Sequence, residues 1–410
     1  VHAVIVTRDP RGLSLPGIAS VHSHAFQRAL RGRTQRRTQR AGTFWSWRGL
    51  MFALADRLDP TSIYDLSHYA FVELLLSGVT AVGEFHYVHH EPSGAPYAER
   101  TALADAVVRA AGDAGIRITL LRVLYERAGY GRTLEAGQRR FVDADPEDAL
   151  RDLEALARHE GETVKVGLAP HSVRAVTRRG WERMAAHAAS RGLVLHAHVS
   201  EQRRELHEAM AEYGMTPVRL LAELGVIGPR FTAIHATHLA PGEAALLGAA
   251  SSFVAVCRST ERDLGDGLPD LGAMVRAGVR LTVGADSHTS SDPFEEARAM
   301  ELDERARVEA RHAALEAPEL LRALTSEGYA SLGWGEPGDL GDRVVLSDRD
   351  PALAGADDDV LDDLVAFHAR AGSVRDVWVA GRRVVEDGVH PDGDASRLRY
   401  ERTLRMLLRP

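Results

Sequence analysis

Cysteine and lysine are almost missing from this chain. Cys257 stands alone, which excludes an internal disulfide and suits a reducing compartment, so the expected location is cytoplasmic. Lys165 is the single lysine among 50 basic residues, an imbalance we read as genome composition rather than function. No apolar run is long enough to cross a bilayer, and no membrane partner is expected. Basic blocks are also lacking. The net charge is −8, and the one arginine-rich stretch, Arg33–Arg40, reads as a solvated polar loop, so nucleic acid is not an expected partner either. The chain begins at Val1, which leaves open what precedes it.

What the chain does contain is apolar bulk and histidine. With 410 residues, 45% of them hydrophobic, it can bury one large core and carry an appendage. Short apolar runs recur at Ile18–His24, Val79–Tyr87, Ile116–Tyr125, Val164–His171, Leu193–Val199, Phe231–His238, Phe253–Cys257 and Leu281–Asp286. Amphipathic helical patterns lie between them, among them Tyr64–Leu76, Glu99–Ala111, Pro146–Arg158, Gly180–Ser190 and Leu271–Ala277. Gly78, Gly115, Gly161, Gly192 and Gly278 follow these patterns as candidate left-handed C-caps. Strands alternating with helices at this length predict an α/β fold, a parallel (β/α)8 TIM-type barrel. A doubly wound open sheet is the rival, but it would not gather polar groups from the first, fifth, sixth and eighth strands.

Helices over Pro293–Ala314 and Pro318–Leu332 are expected to complete the barrel. Beyond them Gly341–Leu346, Val374–Val379 and Arg383–Glu386 read as strands, with a hairpin turn at Gly381-Arg382. These are expected to pair with Val1–Thr7 in a small β-sandwich built from both chain ends. The expected division is residues 1–13 and 337–410 for the sandwich and 14–336 for the barrel. The acidic stretch Asp357–Asp363 is expected to be a solvated loop.

Active sites of such barrels sit at the C-terminal ends of the strands. The first strand ends in His22-Ser23-His24, with Gln27 beyond. Alternate strand residues share a face, so His22 and His24 can offer imidazole nitrogens to one point. Later strand ends bring Glu84, His86 and Tyr87, then His171 and Arg174, then His196, His198 and Glu201, then His235 and His238, then Asp286 and His288. One isolated histidine is usually a core residue. So many at one end of a barrel favour a metal, and neutral imidazole binds zinc at about 2.0–2.1 Å.

At these strand ends the chain resembles the amidohydrolase superfamily, in particular its deaminase branch with one metal. The resemblance implies one divalent metal ion per chain, zinc, held by His22, His24, His198 and Asp286. His196 shares a strand face with His198, and the branch's His-x-x-Glu pattern favours His198 because Glu201 follows it. It also implies that Asp286 accepts the water proton, that Glu201 delivers protons to the substrate nitrogen, and that His235 holds the developing tetrahedral centre. His238 competes with His235 but lies further past the strand. Lys165 would be the bridging residue of a two-metal centre, yet it stands near the opening of its strand and is read as structural.

A closer resemblance is to the formimidoylglutamate deiminase family. It rests on His22–Ala29 (HSHAFQRA), Phe44–Arg48 (FWSWR), Glu84–His90 (EFHYVHH), Pro170–Arg174 (PHSVR) and His235–Leu239 (HATHL). It implies hydrolysis of N-formimino-L-glutamate to N-formyl-L-glutamate and ammonia in histidine degradation. By motif match Gln27, Arg48, Tyr87, His171 and Arg174 would contact this small dicarboxylate amidine. Arginine's planar fork binds carboxylates bidentately, which suits Arg48 and Arg174. The resemblance further implies a homodimer. The polar repeat at Arg33–Arg40 departs from the family pattern and is a candidate lid; His86, His89, His90 and His288 have no assigned role. The alternatives are another one-zinc aminohydrolase, acting on a purine, pyrimidine or other amidine, and a metal-binding barrel without turnover.

Overall fold

A computed structural model describes residues 5–35, 44–355 and 357–408, without the side chains of residues 44–46. The strands are β1 Thr7–Asp9, β2 Gly12–Pro16, β3 Ile18–Ser23, β4 Val79–His86, β5 Arg117–Leu124, β6 Val164–Pro170 and β7 Leu195–Val199. They continue with β8 Phe231–His235, β9 Phe253–Val256, β10 Arg280–Val283, β11 Arg343–Ser347, β12 Val374–Val379 and β13 Arg382–Val385. β3 to β10 form one eight-stranded parallel sheet in chain order. β4 and β5 are buried along their whole length. That two-faced burial is why these strands read as continuous apolar runs and not as alternations.

The sheet curls until its first and last strands meet. The Asp286 N–H donates to the His22 carbonyl and the His24 N–H to the Asp286 carbonyl, both at 2.9 Å. Gly284 makes this seam possible, because a Cβ there would lie 2.8 Å from the His22 Cβ and 2.9 Å from Cys257 Sγ. The barrel is therefore nearly closed, and its closing contacts lie among the residues of the expected metal set.

Helices cover the outside, with Gly115 and Gly192 closing two of them in the left-handed conformation. Gly161 caps nothing: the helix Pro146–Leu156 stops earlier and a 3₁₀ turn, Ala157–His159, follows. The expected helix over Pro318–Leu332 is two helices, Ala317–Leu324 and Ser326–Ser331. They break at Thr325, whose hydroxyl donates back to the Leu321 carbonyl at 2.7 Å, a bond that competes with helix continuation. The helix from Pro293 ends at Val308, where Glu309 turns left-handed. Among the described residues no helix is long and apolar enough to cross a membrane.

Both chain ends meet in a five-stranded antiparallel sheet of order β1-β2-β11-β12-β13. The N-terminal strand paired with β11 is β2, Leu15 facing Val344, and not Val1–Thr7. Residues 1–4 lie outside the described residues, while the Ile5 and Val6 N–H groups donate to Asp362 at 3.2 and 2.8 Å. The acidic stretch is an exposed turn over residues 357–360, as expected, but its last residues enter a helix, Leu361–His368, with Asp362 in the first turn. β2 runs across position 13, where the boundary was expected.

A buried ion pair locks this sheet under the barrel. Arg117, opening β5, meets Asp342 through Nε–Oδ2 at 2.8 Å and Nη2–Oδ1 at 2.9 Å. Asp342 also accepts from the Tyr329 hydroxyl at 2.6 Å and from the Ala380 N–H at 2.7 Å. Lys165 lies at this same end, its ammonium 4.6 Å from the Trp334 ring and bonded to the Gly333 carbonyl. It is far from the strand C-termini, as its place in the sequence implies.

Candidate metal centre and active site

At the C-terminal mouth of the barrel lies a cavity of about 590 Å³, open side included. His24, His198, His235, Glu201 and Asp286 line it together with Gln27, Arg48, Tyr87, His171 and Arg174. His22 sits beneath, fully buried. Every site residue expected from the sequence is thus brought to this one place.

The histidines at its floor are oriented by their second ring nitrogens. His24 Nδ1 pairs with the Phe85 carbonyl at 3.0 Å and His198 Nδ1 with the His171 carbonyl at 3.1 Å. A carbonyl only accepts, so both Nδ1 atoms carry the proton and both Nε2 atoms present a lone pair. His24 Nε2 lies 3.6 Å and His22 Nε2 3.4 Å from Asp286 Oδ1. The His22 and His198 ring centres are 4.9 Å apart. Burial, assisted by neighbouring imidazoles, holds His22 and His198 well below the usual histidine range; burial lowers His24 to about 4 despite Asp286. Neutral rings are what a metal requires.

Whether this donor set fits a cation is answered by His22. Both its ring nitrogens are buried and neither has a hydrogen-bond partner. An unpaired buried polar group carries a desolvation cost of about 1–3 kcal/mol. His22, His24 and Asp286 present ligand atoms within 4.8 Å of one another, as do His22, His198 and His235. A cation in their midst would give one of the two His22 nitrogens its partner, so the residues fit.

Three strand-end devices hold these groups. Ser23, between the two histidines, donates to Glu84 Oε2 at 2.6 Å and meets His288 Nε2 at 2.9 Å, while Glu84 Oε1 accepts from the Ala25 N–H at 2.9 Å. That gives His288 a place as a brace behind the His-x-His segment. Backbone strain is concentrated here as well, with Ser200, His235, Ala236 and Asp286 all at positive φ between 46 and 70°. The third device was not visible in the sequence. His235 Nδ1 donates to Glu261 Oε1 at 3.1 Å, and Glu261 is fixed by the Cys257 N–H at 2.9 Å and by buried Arg258.

Glu201 and Asp286 flank the other side of that ring, 3.9 and 3.8 Å from His235 Nε2. Burial opposes a charge on His235, but Glu201, Glu261 and Asp286 together raise it to about 10. Burial also pushes Glu201 above the ordinary carboxylate range. Glu205, whose Oε2 accepts from the Glu201 N–H at 3.2 Å, is raised by burial to about 7. His196 faces away from the cavity, bonded through Nε2 to the Ser331 carbonyl at 3.0 Å, which separates it from His198. His238 does not line the cavity. His89 and His90 bond the Val123 and Val142 carbonyls at 3.0 Å, in a buried network around Arg122 and Asp143.

The rest of the cavity lining is largely aromatic and basic. Tyr125, Phe141 and Phe52 belong to it with Arg48 and Arg174. Gln27 Nε2 donates to the Tyr87 hydroxyl at 2.7 Å. Arg48 pairs with Glu135 at 2.6 Å. Of the wall residues, Tyr125, Phe141 and Phe52 were not anticipated; Tyr125 stood at the end of the third apolar run, a place that could have marked it. The remainder of the Arg33–Arg40 repeat, from residue 36, lies outside the described residues.

A parallel barrel whose strand ends gather neutral histidines, an aspartate and a buried glutamate defines a metal-dependent hydrolase. The chain belongs to the amidohydrolase family, whose model matches residues 13–384. It is 37% identical over 410 aligned positions to formimidoylglutamate deiminase of Pseudomonas aeruginosa, covering 97% of this chain and 90% of the relative. A crystal structure of an amidohydrolase from Brucella melitensis superposes with a TM-score of 0.89 at 32% identity, covering 98% of this chain and 96% of the other. An adenosine deaminase from Xanthomonas campestris, with bound zinc, shares the fold at a TM-score of 0.80 and 22% identity, covering 97% and 86%.

Proposed function

We propose that this protein hydrolyses N-formimino-L-glutamate to N-formyl-L-glutamate and ammonia, using one zinc ion per chain held by His22, His24, His198 and Asp286. The observation that carries the reading is the meeting, in one cavity, of a hydrolytic floor with two arginines, Arg48 and Arg174, on its wall. The 37% identity to a formimidoylglutamate deiminase supports it. A neutral heterocycle offers no carboxylate to the basic side of this cavity, which disfavours a purine or pyrimidine substrate.

A bound divalent cation supplies Lewis acidity and lowers the pKa of water from 15.7 to about 7. The chain's own groups do the rest. Asp286, facing His22 and His24 through Oδ1 and His235 through Oδ2, accepts the proton of the attacking water. Glu201, kept protonatable by burial, passes a proton to the terminal nitrogen of the amidine. The C–N bond then breaks, ammonia leaves, and the amidine carbon keeps the new oxygen as a formyl group. His235, steadied by Glu261, lies beside both carboxylates and stabilises charge on the tetrahedral centre. Arg48 and Arg174 hold the two carboxylates, with Gln27, Tyr87 and His171 completing the contacts.

Ammonia release from N-formimino-L-glutamate tests the reading, with adenosine and cytosine as competitors. Arg174→Met should cut kcat/KM by roughly 30-fold or more, since a desolvated charge contact is worth about 2–5 kcal/mol. An amidine without carboxylates should be a poor substrate for both forms. No ammonia from N-formimino-L-glutamate, or faster release from a heterocycle, would overturn the proposal.

A further inference from the structure

Beyond the residues that motif resemblance assigns, we propose that Tyr125 is a specificity-determining residue whose phenol proton is donated to a substrate carboxylate between Arg48 and Arg174. The inference rests on the functional reading above and extends it to a group that reading does not use. Tyr125 follows β5 and lines the cavity; it is 3% exposed. Its ring stands 4.9 Å from that of His171, and Arg48 and Arg174 line the same cavity. Its hydroxyl and the Arg174 guanidinium are both near enough to influence the charge of Arg48.

The direction of the hydroxyl follows from Gln138. This side chain is fully buried, and its amide has only one orientation that satisfies its neighbours. Gln138 Oε1 accepts from the Glu135 N–H at 2.9 Å, so Nε2 must be the atom that donates to the Tyr125 oxygen at 2.6 Å. The phenol oxygen is therefore an acceptor toward Gln138, and its own proton has to go elsewhere. Among the described residues Tyr125 has no protein acceptor for that proton. An O–H donor with its acceptor missing, on a wall shared with two guanidinium groups, is complementary to an anion with several lone pairs.

A carboxylate meets that requirement. Two guanidinium groups fix its charge, whereas a phenol discriminates by direction and is lost by removing one atom. Within the proposed substrate, this places the carboxylate-bearing end near Tyr125 and the amidine carbon toward the His/Asp floor. The Gln138–Glu135 turn is then a support that keeps the phenol polarised, so Gln138 is a positioning residue.

The test is Tyr125→Phe, read in two assays. With N-formimino-L-glutamate, kcat/KM should fall about 10–100-fold, the worth of a hydrogen bond to a charged group, chiefly through KM. Calorimetry with glutarate, a dicarboxylate without the amidine, should show at least a 10-fold loss of affinity. N-Methylformamidine, which has no carboxylate, should be turned over equally by both forms. Gln138→Leu should give a smaller loss with the same substrate dependence. The inference is overturned if Tyr125→Phe keeps kcat/KM and glutarate affinity within twofold, or if it loses equally on N-methylformamidine. Failure of the functional reading looks different: the wild-type protein would release no ammonia from N-formimino-L-glutamate. The glutarate comparison would still decide the role of Tyr125.

Discussion

Glu73 is the residue at which stability and site geometry can be measured together. It lies on the helix Pro60–Leu76 and accepts from Arg31 through Nη1 at 2.8 Å and Nη2 at 2.9 Å, from Arg28 Nη2 at 3.1 Å, and from Ser291 at 2.8 Å. Arg28 and Arg31 continue from the His-x-His segment. Ser291 belongs to the loop after Asp286, and Arg31 Nε also donates to the His288 carbonyl at 2.7 Å. One carboxylate thus ties together the two loops that carry three of the proposed ligands. Burial alone would raise Glu73, but the two arginines outweigh it and bring it from 4.5 to about 2. Its side chain is 24% exposed, so solvent screens the pair only in part.

That shift corresponds to about 3 kcal/mol favouring the ionised, folded form. At about 2.1 cal/mol/K of unfolding entropy per residue, Glu73→Gln should lower Tm by about 4 °C at pH 7. The sign with pH follows from the depressed folded pKa. The contribution is complete above 4.5, the unfolded value, and disappears as pH falls through 4.5 toward 2. Calorimetric melts of both forms at pH 7, 5.5, 4 and 3 should show a gap that is constant at the two higher values and falls to about half or less at pH 3. A gap as wide at pH 3 as at pH 7, or one under 1 °C at pH 7, would refute the reasoning.

Three further outcomes are expected. His198→Ala should lose most bound zinc by elemental analysis, whereas wild type should carry one ion per chain; two ions per wild-type chain would contradict the proposed centre. Glu201→Gln should keep its zinc and fold but turn over about 10²–10⁴-fold more slowly, and wild-type turnover would move the proton role elsewhere. Glu261→Gln should retain metal and raise KM little while lowering kcat at least several-fold, because His235 loses its anionic partner; an unchanged kcat would leave Glu261 as packing.

The parts of the site visible in the sequence were those carried by strand termini. His22, His24, His198 and Asp286 follow short apolar runs, and a parallel barrel sends every such terminus to one mouth. Glu261 was hidden because it stands within the helix Arg258–Leu264, where helix-face geometry and not strand ending decides its direction. Tyr125 was hidden for another reason: an aromatic at the end of an apolar run is ordinarily core, and only Gln138 marks this one as polar in function. Of the expected N-terminal strand Val1–Thr7 only residues 5–7 are described, and the strand that pairs with β11 is the less apolar Gly12–Pro16. Register with a distant partner outweighs local apolarity there, and a single sequence carries no trace of it.

The same pairing has a consequence for synthesis. β2 is made before the whole barrel, yet its partner β11 begins at Arg343 and the strands β12 and β13 come later still. While the barrel is being made, Leu13 and Leu15, both buried in the finished protein, have only the short β1 beside their strand. Leu13 and Leu15 must be held back from other nascent chains by the growing barrel or by chaperones, because an unpaired strand edge invites foreign strands. Premature termination after residue 342 would leave that edge open for good. A strand made before the barrel thus depends on strands made after it.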